Sequence, residues 1–192
     1  MANAANGGSA ARAEEGLIAR LKDIYWMDKT GAPFSTLDSL LSLMMPLKKE
    51  DRRPMIALVI DDMGMDRKRS ARAVAALPAA VTMSYLPYSL KIKDQVAAAH
   101  AAGHEIIVHV PMEPERATAD PGPDFLGAQF PEKELRRRIV ANLSAFDGYV
   151  GINNHMGSKF TRDRERLEIL MQELKTRNAA FLDSKTIGSS IA

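Results

Sequence analysis

From Met55 onward, short apolar runs alternate with stretches whose apolar residues recur at helical spacing. Met55–Ile60 (MIALVI) is continuously apolar and partly β-branched, the pattern of a buried parallel strand. Val81–Leu86, Glu105–Val110, Tyr149–Ile152 and Ala179–Leu182 predict four more strands. The segments between them predict helices. Arg67–Ala76 is Ala-rich and stopped by Pro78, and Lys91–Ala102 ends at Gly103, placed as its C′ residue. Pro131 opens a third helix as its first helical residue, with Glu132 and Glu134 in the first turn and Leu135, Ile139 and Leu143 on the apolar face. Thr161 is placed to cap a fourth, whose stripe is Leu167, Leu170, Met171 and Leu174. Strand and helix alternate without a hairpin signal, so the expected class is α/β, a parallel sheet with crossover helices.

Residues 1–53 read differently. Leu17, Leu21, Ile24 and Tyr25, then Leu37, Leu40, Leu41 and Met44, suggest two helical pieces in a flexible head. The charged run Lys48–Arg53 followed by Pro54 reads as a linker into a domain spanning 54–192. No targeting signal is visible, and Leu37–Leu47 is too short and polar to span a bilayer, which takes about 20 apolar residues.

Composition narrows the chemistry. The 192 residues fit one domain plus an appendage, with 46% apolar and 26% charged residues in a globular balance. A formal net charge of +2 argues against a nucleic-acid groove. Without Cys there is no disulfide, thiolate metal site or Cys nucleophile, so a transition-metal site has to draw on Asp, Glu and the four His.

In parallel α/β folds function collects at the carboxyl ends of the strands. The first strand runs out into Asp61-Asp62, the third delivers His109, the fourth Asn153-Asn154-His155, and the fifth Asp183-Ser184-Lys185. Two adjacent carboxylates are costly there unless a cation or shared proton compensates. A metal at Asp62 would leave Asp61 free as a base; the bland alternative is that one Asp caps the next helix. A receiver-type phosphoacceptor pocket wants an Asp where the third strand offers His109. Asp62, His109 and His155 together, three N/O donors from separate strand ends, suit a catalytic zinc with an open position for water. His100 and His104 read as packing or surface residues. Asn153, Asn154 and Ser158, around the tight turn that Gly157 permits, can hydrogen-bond a polar ligand.

The segments Ile56–Gly64 (IALVIDDMG), Gly103–Pro114 (GHEIIVHVPMEP), Gly151–Thr161 (GINNHMGSKFT) and Phe181–Gly188 (FLDSKTIG) resemble, in order, the divergent polysaccharide deacetylases, a branch of the NodB-like carbohydrate esterases. The resemblance implies a distorted (β/α) barrel and metal-dependent removal of acetyl groups from N-acetylated sugars of a polysaccharide or peptidoglycan, outside the cytoplasm. It implies Asp61 as base and Asp62 as ligand of a divalent metal, zinc above others. The family's second motif has two His separated by three residues. Here it reads His109 then Glu113, so His155 is expected to fill the vacancy, with Glu113 as the alternative ligand. Asp183 and Lys185 are further candidate site residues. The sequence ends just after the fifth strand, where family members continue, so a barrel open on one side is expected. The competing expectation is a non-catalytic domain that binds glycan or an envelope partner.

Overall fold

The computed structural model describes residues 57–192, and the expectations for the head, the linker and the boundary at residue 54 lie outside the described residues. The elements run β1 (Val59–Met63), α1 (Arg67–Ala76), β2 (Thr82–Tyr85), α2 (Ile92–Ala101), β3 (Ile106–Met112), α3 (Glu132–Leu143), β4 (Gly151–Met156), α4 (Arg164–Thr176) and β5 (Ala180–Leu182). All neighbouring strands are parallel, and the sheet order β1-β2-β3-β4-β5 follows the chain. A sheet wound in chain order with right-handed crossovers carries its helices on one face. Accordingly α1 packs beside α2, and α3 beside α4. The result is an open α/β sheet with the arrangement of part of a (β/α) barrel.

The two faces of this sheet differ in chemistry. Side chains alternate along a strand. Met83 and Tyr85 of β2, Ile106, Val108, Val110 and Met112 of β3, and Ile152 of β4 all enter the hydrophobic core. Ala73, Val96, Leu135, Ile139, Leu143, Leu167, Leu170 and Leu174 meet them from the helices. The alternate positions are Ser84, then Ile107, His109 and Pro111, then Gly151, Asn153 and His155. Ser84, His109 and Asn153 are buried on that second, polar face. Every candidate ligand from β3 and β4 therefore stands on the face away from the helices.

Several element ends carry their reasons in the sequence. Asp66 caps α1, its Oδ1 accepting from the N–H groups of Lys68 and Arg69 at 3.0 Å each. At the end of α2 the His104 N–H donates to Ala99 O and the Gly103 N–H to His100 O, the paired bonds of a Schellman turn around the predicted Gly103. Other ends differ from expectation. Pro131 sits at the cap of α3, one position before its first helical residue. Thr161 does not cap α4: it lies in a 3-10 turn (Phe160–Arg162), its hydroxyl donating to Gly157 O at 2.9 Å, and Asp163 caps by accepting from the Arg166 N–H. A carboxylate at that position also suits the positive end of the helix.

Three strands run further than predicted, and all three extensions reach the site. β1, which begins at Val59, continues through Asp61 and Asp62, because pairing with β2 resumes at Met63↔Tyr85 after a bulge. β3 passes through Pro111 to Met112. The proline's missing N–H is tolerated because β2 already ends opposite Val108, and on that side Pro111 O accepts from Leu126 N–H at 2.8 Å. β4 extends from Gly151 through Asn153, Asn154 and His155 to Met156, paired residue by residue with β3, where a polar loop was expected.

Two stability predictions arise here. A Cβ added at Gly151 would stand 2.7 Å from the Ala180 carbonyl oxygen of the paired strand. Gly151→Ala is therefore expected to cost about 1–3 kcal/mol, read as a lowered urea midpoint, as overpacking against backbone does. An unchanged midpoint would mean that β5 gives way freely. The second concerns alkaline pH. Burial pushes the Tyr85 hydroxyl up to about 12 from 10.0. Because the phenol ionises earlier in the unfolded chain, its contribution to stability is complete below pH 10.0 and is lost as pH rises towards 12. Tyrosinate absorbance should show a component that ionises only with unfolding. Complete ionisation near pH 10.0 with the fold intact would contradict this.

Candidate metal centre at the strand ends

Asp62 is the residue that regular strand geometry would have placed wrongly. Neighbours in a strand point to opposite faces, so Asp61 and Asp62 could not both face the polar side. The chain resolves this with the bulge between Ile60 and Met63, where Asp62 takes φ 57°, a left-handed conformation that Asp tolerates better than most residues. Gly64 completes the turn with φ +107°. A Cβ there would meet Ser89 Oγ at 2.4 Å, so the turn out of β1 has room only for glycine.

With Asp62 re-aimed, three side chains meet. Asp62 Oδ1 lies 3.0 Å from His155 Nδ1 and 3.3 Å from His109 Nε2, and the two ring nitrogens are 3.2 Å apart. All three donor atoms fall within 4.8 Å of one another. Hydrogen bonding to His109 first, and to His155 second, holds the Asp62 carboxyl well below the usual carboxylate range, against the opposing effect of burial. His109 is buried, His155 half-buried, and the Asp62 side chain 65% exposed, so the cluster is walled by the sheet and open at the rim.

The donor set fits a divalent metal. His109 Nδ1 is engaged by Asn153 Oδ1 at 2.8 Å, which turns Nε2 towards Asp62. A ligating imidazole is oriented in this way, one nitrogen held by an outer partner and the other presented inward. One carboxylate and two imidazoles make a three-donor set of the kind that catalytic zinc sites use.

Asp61 stands beside the cluster. Its Oδ1 accepts from Asn153 Nδ2 at 2.8 Å and lies 4.0 Å from His109 Nδ1, while the side chain remains 42% exposed. It is anchored at one oxygen and accessible from solvent.

The other candidates are placed differently. Glu113 is not part of the trio: Lys159 Nζ donates to its Oε1 at 2.6 Å and the Ala128 N–H to its Oε2 at 2.9 Å. It latches the loop after β3 to the loop after β4. Ser158 Oγ accepts from the Glu115 N–H at 2.9 Å and belongs to the same latch. Asn154, fully buried, donates to Met156 O and accepts from the Ser184 N–H, both at 2.8 Å, splicing the ends of β4 and β5. Asn153 is 2% exposed, with both amide atoms engaged by protein partners. Asp183 Oδ1 accepts from the Lys185 N–H at 2.9 Å, and its buried Oδ2 has no hydrogen-bond partner among the described residues, with Lys185 Nζ 4.0 Å away. His104 is a packing residue, its ring nitrogens against Val81 O and Val74 O. One participant escaped the sequence reading, Ser84, and a second, Ser184, was placed at the end of the fifth strand without a role; the hydroxyls of both bond Asn153. Ser84 carries a signal in hindsight, as a polar residue between Met83 and Tyr85 in a short apolar strand.

Comparison with known proteins places the fold. The chain is 36% identical over 143 residues to the uncharacterized protein YibQ of Escherichia coli K12, a match covering 71% of this chain and 42% of YibQ. It is 33% identical over 138 residues to an uncharacterized protein of Haemophilus influenzae Rd, covering 71% and 48%. The chain thus spans less than half the length of these curated relatives. The crystal structure of uncharacterized protein ATU2773 from Agrobacterium tumefaciens C58 superposes with a TM-score of 0.71 at 25% identity, over 85% of this chain and 65% of that one. The description of the divergent polysaccharide deacetylases matches residues 58–192 from the first strand onward, and the chain belongs to that family.

Proposed function

We propose that this domain is a metal-dependent hydrolase that removes acetyl groups from N-acetylated sugars of a polysaccharide or peptidoglycan. The observation that carries the proposal is the meeting of Asp62 Oδ1, His109 Nε2 and His155 Nδ1 at one rim of the sheet, with the Asp61 carboxylate beside them. A divalent metal, zinc above others, would be held by Asp62, His109 and His155, and when bound it supplies Lewis acidity at the acetamide carbonyl. Asp61 takes the proton of the attacking water. Its exposure lets it reach a substrate from solvent, and its bond from Asn153 Nδ2 fixes where the proton goes. The buried floor of Ser84, His109 and Asn153 keeps these groups in one geometry. A peptidoglycan or other envelope glycan as substrate places the activity outside the cytoplasm. Among the described residues no helix is long and apolar enough to cross a membrane.

The test is acetate release from chitooligosaccharides and peptidoglycan fragments by the zinc-loaded protein, prepared at the length of its relatives. Release that stops on chelation and returns with zinc is expected. Glycan binding indifferent to chelator, with no acetate formed, would overturn the proposal in favour of a non-catalytic binding domain.

A further inference from the structure

We propose that Asn153 is the positioning residue of this centre, fixing with one amide both the ring orientation of the ligand His109 and the placement of the base Asp61. The inference rests on the metal reading above and goes beyond it, because it assigns a role to a residue that touches neither the three-donor cluster's interior nor solvent.

Hydrogen-bond logic carries it. An ionised carboxylate only accepts, so the amide atom facing Asp61 Oδ1 at 2.8 Å is the Asn153 nitrogen. Its second N–H points to Ser184 Oγ at 3.1 Å. The amide oxygen is then the atom turned to His109 Nδ1 at 2.8 Å and to the Ser84 hydroxyl at 2.5 Å. An oxygen facing both can only accept from both, so His109 Nδ1 carries a proton. A ligating imidazole is neutral, so with a metal bound the His109 ring would be held in the Nδ1–H form, leaving Nε2, the nitrogen that faces Asp62 and His155, as the ligand atom. All four bonding positions of the amide are filled, and they run to Asp61 of β1, Ser84 of β2, His109 of β3 and Ser184 just beyond β5. One side chain of β4 therefore ties together the carboxyl ends of the other four strands. At 2% exposure no water is needed to complete the network, and none of its four bonds is easily replaced.

The two halves of the amide are separable by substitution. Asn153→Ala removes both supports. Asn153→Asp keeps acceptors for His109 and Ser84 but sets a carboxylate against Asp61. Three readouts are taken on wild type and both variants: zinc affinity by competition with a chromophoric chelator, the slowly exchanging His109 Nδ1–H resonance in 15N-labelled protein with and without zinc, and acetate release. In wild type the resonance is present. Asn153→Ala is expected to lose it and to bind zinc about 10–100-fold more weakly, the usual cost of removing an outer partner of a ligating imidazole. Asn153→Asp is expected to keep the resonance, to hold zinc within about threefold of wild type by carboxylate support of the imidazole, and to lose acetate release nevertheless. Unchanged zinc affinity in Asn153→Ala with the resonance intact would overturn the inference, as would equal zinc loss in both variants. Failure of wild type to take up zinc overturns the metal reading, and the metal-free resonance still decides whether Asn153 fixes the ring.

Discussion

Asp62→Ala is expected to abolish stoichiometric zinc binding, weakening affinity by more than about 100-fold, since loss of even an outer partner of a zinc ligand costs 10–100-fold. Asp62 is the one carboxylate of the cluster and sits between both imidazoles, 3.0 Å from His155 Nδ1 and 3.3 Å from His109 Nε2. Its charge is already stabilised by those rings, which hold the carboxyl far down in the acid range. The sign follows directly. A depressed carboxyl favours the folded state above its unfolded value near 3.8, and that contribution is lost only as pH falls through the depressed value. At any pH from weakly acidic upward Asp62 is a charged donor, so a substitution is needed to silence it. Asp62→Asn separates charge from shape and should fail almost as badly, because an amide oxygen brings no negative charge to the metal. Metal analysis after gel filtration, with titration of the metal-free protein, measures both. Full zinc retention by Asp62→Ala would remove this residue from the centre.

Asp61→Asn is expected to do the reverse: zinc stays bound at one equivalent while turnover falls about 10²–10⁴-fold, the usual contribution of a positioned general base. Asp61 does not share an oxygen with the trio. It hangs from Asn153 Nδ2 by Oδ1 and is open to solvent on its other side, 42% exposed. Adjacent in sequence, the two aspartates have different parts in the proposed site because the bulge turns them differently: Asp62 in the left-handed conformation towards the imidazoles, Asp61 onto the Asn153 amide. The measurement is a pair, zinc content and acetate release on one preparation. A variant that loses zinc and activity together would make Asp61 a ligand or a fold determinant. A variant with full activity would move the base elsewhere.

How much of this was legible beforehand depended on which physical rule governed each residue. Helix α1 was readable to both ends, because Pro78 and the preceding Asp66 act locally and nothing tertiary opposes them. The strand ends were not. A run of Asn-Asn-His reads as loop by propensity, yet Asn153 and Asn154 lie in β4 with their polar atoms paired across the sheet. Pro111 reads as a strand terminator, and is one only where a neighbouring strand needs its missing N–H. The cluster of Asp62, His109 and His155 was visible as a convergence of polar residues at successive strand ends. Its floor was not visible, since Asn153 contacts Asp61 across 92 positions of chain and Ser84 across 69. Such pairings exist only after the sheet has formed. For the same reason Asn153, Asn154 and Ser158, which by type could have bonded a ligand, are found bonded within the fold.

Zinc K-edge X-ray absorption on the purified, zinc-loaded chain reports most directly on the centre itself. One zinc per chain is expected, with a first shell of nitrogen and oxygen only and the outer-shell scattering of two imidazoles, one of which disappears in His155→Ala. A first shell without imidazole, or a spectrum unchanged in His155→Ala, would show that any bound zinc lies somewhere other than the meeting point of β1, β3 and β4.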